Sequence, residues 1–100
     1  MIAAFSITPI GLGDSVSASV ADAVRLVRES GLPNETNAMF TNVEGEWDEV
    51  MGLIKACVDT VTASASRVSL VIKIDHRPGV TDGLRAKVAA VEAQLDRASG

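Results

Sequence analysis

Three side chains of this sequence could build a nucleophilic or acid–base centre: Ser6 in a strand-like run, Cys57 in a helical pattern, and His76, which follows Asp75 in "KIDHRPG". Nucleophilic catalysis needs a serine or cysteine beside a base, and the base oriented by a third group. None of the three stands in a nucleophile-elbow or comparable motif, so no catalytic residue is assigned. His76 is the only histidine. A metal would need two or three further ligands, and His76, Asp75 and Cys57 show no ligand spacing, so no metal site is expected. The single Cys57 excludes an internal disulfide and any Cys-x-x-Cys site, and reads as a small core residue.

"TPIGLGDSVS" invites a phosphate-cradle reading because a Gly-x-Gly lies between a strand-like and a helix-like segment. A dinucleotide fingerprint requires a third glycine where Val16 stands, and a Walker loop requires a Lys-Ser or Lys-Thr pair that does not follow. Gly11 and Gly13 therefore read as a turn, with no nucleotide cofactor. "EGEWDEV" carries Glu44, Glu46, Asp48 and Glu49. Acidic residues are favourable in the first turn of a helix, which accounts for most of them. Glu44 lies on the strand side of Gly45, where it could accept a hydrogen bond from a ligand amine, and Asn37 and Thr41 flank the same hairpin with donors and acceptors of their own.

These groups must be held by a chain of 100 residues, which is expected to form one domain over 1–100. Apolar residues make up 47% against 22% charged, which places it among folded proteins, and only three residues are aromatic. Nine basic against thirteen acidic residues give a net charge of −4 with no Lys/Arg cluster, so neither nucleic acid nor an anionic membrane is an expected partner. No signal peptide or membrane-length apolar stretch is visible, and a cytoplasmic location is the default expectation.

Apolar periodicity supplies the elements. "MIAAFSIT" reads as a strand with Ala3, Phe5 and Ile7 on one face and Ile2, Ala4, Ser6 and Thr8 on the other, ended by Pro9. A helix follows with Val16, Val20, Val24 and Val27 on a stripe, N-capped by Asp14, Ser15 or Ser17 and closed at Gly31. Two short strands over about 34–38 and 42–45 turn near Met39 to Thr41. A second helix carries Trp47, Val50, Met51, Ile54, Cys57, Val58 and Val61 on its apolar face, with Trp47 as a core or interface anchor, and "RVSLVIKID" alternates as a strand. The last helix starts near Thr81, with Leu84, Val88, Val91 and Leu95 on a two-heptad seam that either covers part of the sheet or grips a neighbour.

The order β-α-β-β-α-β with an additional C-terminal helix is the ferredoxin-like α+β pattern, with a four-stranded antiparallel sheet and both crossover helices on one face. The other face should carry Ile2, Ala4, Ser6, Thr8, Ser69, Val71, Lys73 and Asp75. That mixture suits burial against a second subunit with polar groups left inside the seam.

Three stretches, "MIAAFSITPIG....SVS..VA.AV", "MFTNVEGEWDEVM..I" and "RVSLVIKIDHR", resemble in order the small thiamine-binding family of YkoF-like domains, over residues 1 to 95. The resemblance implies sheet-mediated homodimers or homotetramers, and a thiamine or hydroxymethylpyrimidine ligand held at an open sheet face near a subunit contact. It implies binding without a catalysed reaction. The chain departs from the pattern at Ala38-Met39-Phe40-Thr41, where relatives often carry Pro-Met-Gly-Thr, and Phe40 either stacks on an aromatic ligand or blocks the pocket. Further departures are Ser19 in place of a frequent aromatic, Val58-Asp59 in place of a His-Glu pair, and His76 in place of a second Asp.

The expected ligand residues are Ser6, Asn37, Thr41 and Glu44, then Asp75, with Phe40 as a wall. The chain is not expected to be an enzyme or to use a cofactor; thiamine or hydroxymethylpyrimidine would be its ligand. The alternatives are a structural or regulatory homo-oligomer without a ligand, and a cofactor-free enzyme whose titrating group would be His76 or a carboxylate.

Overall fold

A computed structural model describes residues 1–11 and 16–99. Seven elements run β1 (Ile2–Ile10), α1 (Val16–Glu29), β2 (Asn34–Thr36), β3 (Thr41–Glu44), α2 (Trp47–Thr62), β4 (Arg67–Asp75) and α3 (Gly83–Ser99). The four strands form one antiparallel sheet in the order β2-β3-β1-β4, the ferredoxin-like arrangement with a helix appended.

Register assigns every strand residue to a face. Ala3 pairs with Val43 and Ile74, and Phe5 with Thr41 and Ile72, so these side chains share the helix-covered face. There they meet Ala23 and Val27 of α1 and Val50, Ile54, Cys57 and Val61 of α2, all within the core. Cys57 is fully buried and its thiol donates to the Ala23 carbonyl at 3.4 Å, tying the two helices together. Burial pushes that thiol up to about 11.

Local signals explain the boundaries. Gly31, φ +80°, takes the left-handed position after α1 that a side chain would oppose. The Glu49 carboxylate accepts the Glu46 N–H and so closes the first turn of α2, as acidic residues do at helix starts. Of the Gly-x-Gly turn, Gly11 is described, with φ +91°; Gly13 and the N-cap candidates Asp14 and Ser15 lie outside the described residues.

Three expectations are corrected. Pro9 does not end β1: it pairs with Val68 and the strand continues to Ile10. Pairing with β3 stops at Phe5, so from there β1 has β4 on one side only and a missing donor is tolerated on the other. The hairpin turn is Asn37–Phe40, earlier than expected, because Thr41 already pairs with Thr36 and Phe5. Trp47 is 48% exposed rather than a core anchor, and meets His76 edge-on, with ring centroids 5.6 Å apart.

Candidate functional site

The hairpin is shaped by one side chain. Asn37 Oδ1 accepts from the backbone N–H of Met39 and of Phe40, both at 2.9 Å, while the Asn37 N–H donates to the Phe40 carbonyl at 2.9 Å. Asn favours such turns because its side-chain carbonyl can stand in for a backbone acceptor. The turn is thereby held over α1, and a cleft of about 180 Å³ opens between them.

Four of the six residues expected from sequence line this cleft: Ser6, Asn37, Phe40 and Thr41. Thr41 is 8% exposed, and its hydroxyl has no hydrogen-bond partner among the described residues. Asn37 keeps its Nδ2 donors, since only Oδ1 holds the turn. Ser6 contributes differently from expectation. It pairs with Val71, so its side chain faces the uncovered side of the sheet, and it borders the cleft through its main chain. Beyond Phe5 that edge of β1 carries no strand partner, which leaves backbone donors and acceptors facing the cleft.

The apolar walls come from Phe5 and Ile7 of β1 and from Val20, Ala23, Val24 and Val27 of α1. Val20 and Val24 were read only as part of the α1 stripe. The stripe is wider than one core seam needs, and their half-burial is the signal that its flank faces something else. Among the described residues, no Asp, Glu, His, Lys, Arg or Cys lines the cleft. The described arrangement can hold a flat, uncharged ring by its edge.

Glu44 and Asp75 are placed elsewhere, at the foot of α3. Glu44 is 5% exposed, and its carboxylate accepts the N–H of Gly83 at 2.7 Å and of Leu84 at 3.2 Å, capping the helix N-terminus where free donors and the helix dipole favour an anion. Gly83 permits the approach: a Cβ there would lie 3.0 Å from Glu44 Oε2 and 3.1 Å from Ile2 Cδ1. Asp75 pairs with Lys87 one turn further along, and that ammonium holds the Asp75 carboxyl below its ordinary value. Both carboxylates expected to meet a ligand therefore clasp the first turns of α3. Together with Ile2, Arg77, Val80, Ala86 and Ala90 they line a second cavity of about 410 Å³.

His76 lies against Trp47, and among the described residues no group of three or more His, Cys, Asp or Glu side chains is placed to hold a metal ion. Nor is any described helix long and apolar enough to cross a membrane.

Comparison with known proteins adds the following. Residues 3–92 match the family model described as thiamine-binding protein. The UPF0045 protein Mb1933 of Mycobacterium bovis is 54% identical over 98 residues, covering 97% of this chain and 96% of that one. The crystal structure of MJ1052 from Methanocaldococcus jannaschii superposes with a TM-score of 0.81 at 36% identity, over 91% of this chain and 94% of that one. A Thermotoga maritima protein named for a candidate role in thiamine biosynthesis or salvage shares the fold, with a TM-score of 0.74 at 21% identity over 88% of this chain and 96% of its own.

Proposed function

We propose that this chain, which belongs to the thiamine-binding protein family, binds a thiamine-type molecule in the cleft between α1 and the hairpin and releases it unchanged. The observation that carries the reading is convergence. The Thr41 hydroxyl, the Asn37 amide donors, the Phe40 ring and the unpaired β1 edge at Ser6 all border one hollow that is uncharged among the described residues.

Size and charge favour one part of the ligand. At about 180 Å³ the cleft is smaller than the roughly 300–1,000 Å³ of sites that enclose a drug-sized molecule. It suits a single heteroaromatic ring. An aminopyrimidine offers an amine donor and ring-nitrogen acceptors, which match the backbone acceptors of β1 and the Thr41 and Asn37 donors. The thiazolium carries a fixed positive charge, and burying it without a counter-charge would be costly, so it belongs at the mouth beside Met39, which is 73% exposed. A ring face such as Phe40 would contribute about 0.5–1 kcal/mol to a cation held at such an exposed site. Phosphates on the thiazolium side would then stay in solvent.

Among the described residues the lining has no titratable side chain, which supports binding over catalysis. Self-association belongs to the same reading. The uncovered face of β1 carries Ala4, Ser6, Thr8 and Ile10, all uncharged, beside a Val71 that is 54% exposed, and such a strip suits a second copy. A cytoplasmic location, in keeping with a reduced Cys57, completes it.

Isothermal titration with thiamine, its phosphates and hydroxymethylpyrimidine tests the assignment. Binding is expected for all of them, and Thr41→Val should weaken it by roughly 5–150-fold, the equivalent of about 1–3 kcal/mol for an unmet polar group. Absence of heat with every one of these ligands would overturn it.

A further inference from the structure

α3 stands apart from the body that carries it. It meets its own sheet at the Glu44 and Asp75 clasp, and beyond Leu84 every described side chain of the helix is exposed. The radius of gyration is 15.6 Å, against roughly 13 Å for a compact chain of this length, and the longest dimension is 52 Å. Yet Val88, Val91 and Leu95 are apolar and 56–60% exposed.

The helix has two faces with different tasks. Gly83, Ala86 and Ala90 line the cavity toward the chain's own sheet. At 100° per residue, Val88 lies about 160° round the helix from Ala86 and Ala90. That side faces away from the chain's own sheet.

We propose that this side is covered by α3 of a second copy, packed antiparallel. The spacing Leu84, Val88, Val91, Leu95 runs four, three, four, the alternation of a two-stranded coiled-coil seam. It reads the same in both directions. In the antiparallel arrangement Val88 of one copy faces Val91 of the other, and Leu84 faces Leu95, twice each by symmetry, as an isologous two-fold contact requires. Charge agrees: Arg85 and Glu92 flank the seam and meet across it as opposite signs, again twice. A parallel pair would instead call on Lys87 to meet Glu92, and Lys87 is engaged by Asp75.

The overlap from Leu84 to Leu95 is about 18 Å long. With a contact strip about 10 Å wide, it buries roughly 500–700 Å² of accessible surface, below the roughly 1,000 Å² of a stable stand-alone interface. The pairing therefore works together with another contact. Combined with a sheet-face contact about a different two-fold axis, it would give a closed tetramer. The α3 pairing depends neither on the cleft nor on its ligand.

Sedimentation of the full chain separates the two contacts. Val91→Asp places a charge in the helical seam and Val71→Asp places one on the sheet face; both sites are exposed in the single copy, so folding is retained and is checked by circular dichroism. The expected result is that Val91→Asp lowers the wild-type mass. If Val71→Asp lowers the mass and Val91→Asp does not, the α3 pairing is overturned and the sheet contact stands; the reverse result overturns the sheet contact alone. A wild-type monomer at all concentrations overturns both. Disulfide trapping reads the direction, since Cys57 is buried and does not compete. A mixture of Val88→Cys and Val91→Cys chains should cross-link faster than either alone. Preferential Val88→Cys homodimers would refute the antiparallel register.

Discussion

Removing the Glu44 carboxylate should release α3 while leaving the core in place. In Glu44→Ala, the N–H groups of Gly83 and Leu84 lose acceptors at 2.7 and 3.2 Å. Hydrogen bonds to a charged group are worth about 1.5–3 kcal/mol each, but donors at an opened helix end regain water. The loss is therefore nearer that of a helix cap, about 0.5–2 kcal/mol, with about 0.3–1 kcal/mol more for the anion at the dipole. Together these make about 1–3 kcal/mol, or 5–150-fold in the local opening equilibrium. Because α3 touches its own sheet mainly through this clasp, the effect belongs to α3 and not to global unfolding. Amide hydrogen exchange reads it directly. Gly83 and Leu84 should exchange 5–150-fold faster, Glu44→Gln should fall between the two, and Val50 to Val61 of α2 should be unchanged. Unchanged exchange at Gly83 and Leu84 would refute the clasp. Equal acceleration throughout α2 would mean that Glu44 supports the core instead.

Two further outcomes follow from buried groups of the helices. Ser19 is 7% exposed and its hydroxyl has no hydrogen-bond partner among the described residues, so Ser19→Ala should stabilise the chain by about 1–2 kcal/mol, through lost desolvation and better helix propensity, and raise Tm by about 4–8 °C per kcal/mol; a lower Tm would contradict it. Cys57 should resist thiol reagents until the chain unfolds. Its folded pKa, about 11, lies above the unfolded value near 8.5–9, so from about pH 9 to pH 11 the unfolded state releases a proton that the folded state keeps, and stability must fall. Denaturant melts across that range check the sign, and a Cys57→Ala chain should lose this part of the pH dependence.

Where a pattern is local, the sequence was a good guide. Strict alternation in "RVSLVIKID" gives β4 its observed ends, Arg67 and Asp75, and Gly31 marks the end of α1 through its backbone freedom alone. Thr41 and Asn37 were legible as hairpin polar groups because turn chemistry is written in neighbouring residues. What was not legible depended on distant partners. The face that Thr41 occupies is set by its register against Phe5, thirty-six positions earlier in the chain, and no local pattern states it. Alternation correctly turned the Ser6 side chain away from Phe5, yet the cleft uses the Ser6 main chain, because β3 stops pairing there. That Glu44 and Asp75 also hold α3 was not legible, because the docking of that helix, about forty and twelve residues away respectively, was invisible from their own surroundings. Trp47 suited the apolar side of α2 by spacing, but it sits at the helix start, where His76 rather than the core receives it.

The central claim is that the α1–hairpin cleft, and not the foot of α3, receives a thiamine-type ring. Amide chemical-shift mapping during a titration with hydroxymethylpyrimidine distinguishes the two directly. The account predicts saturable shifts at Val20, Val24 and the Asn37 to Thr41 turn, with Gly83, Leu84 and Lys87 unmoved. Shifts confined to Gly83, Leu84 and Lys87, or none at either place, would contradict it.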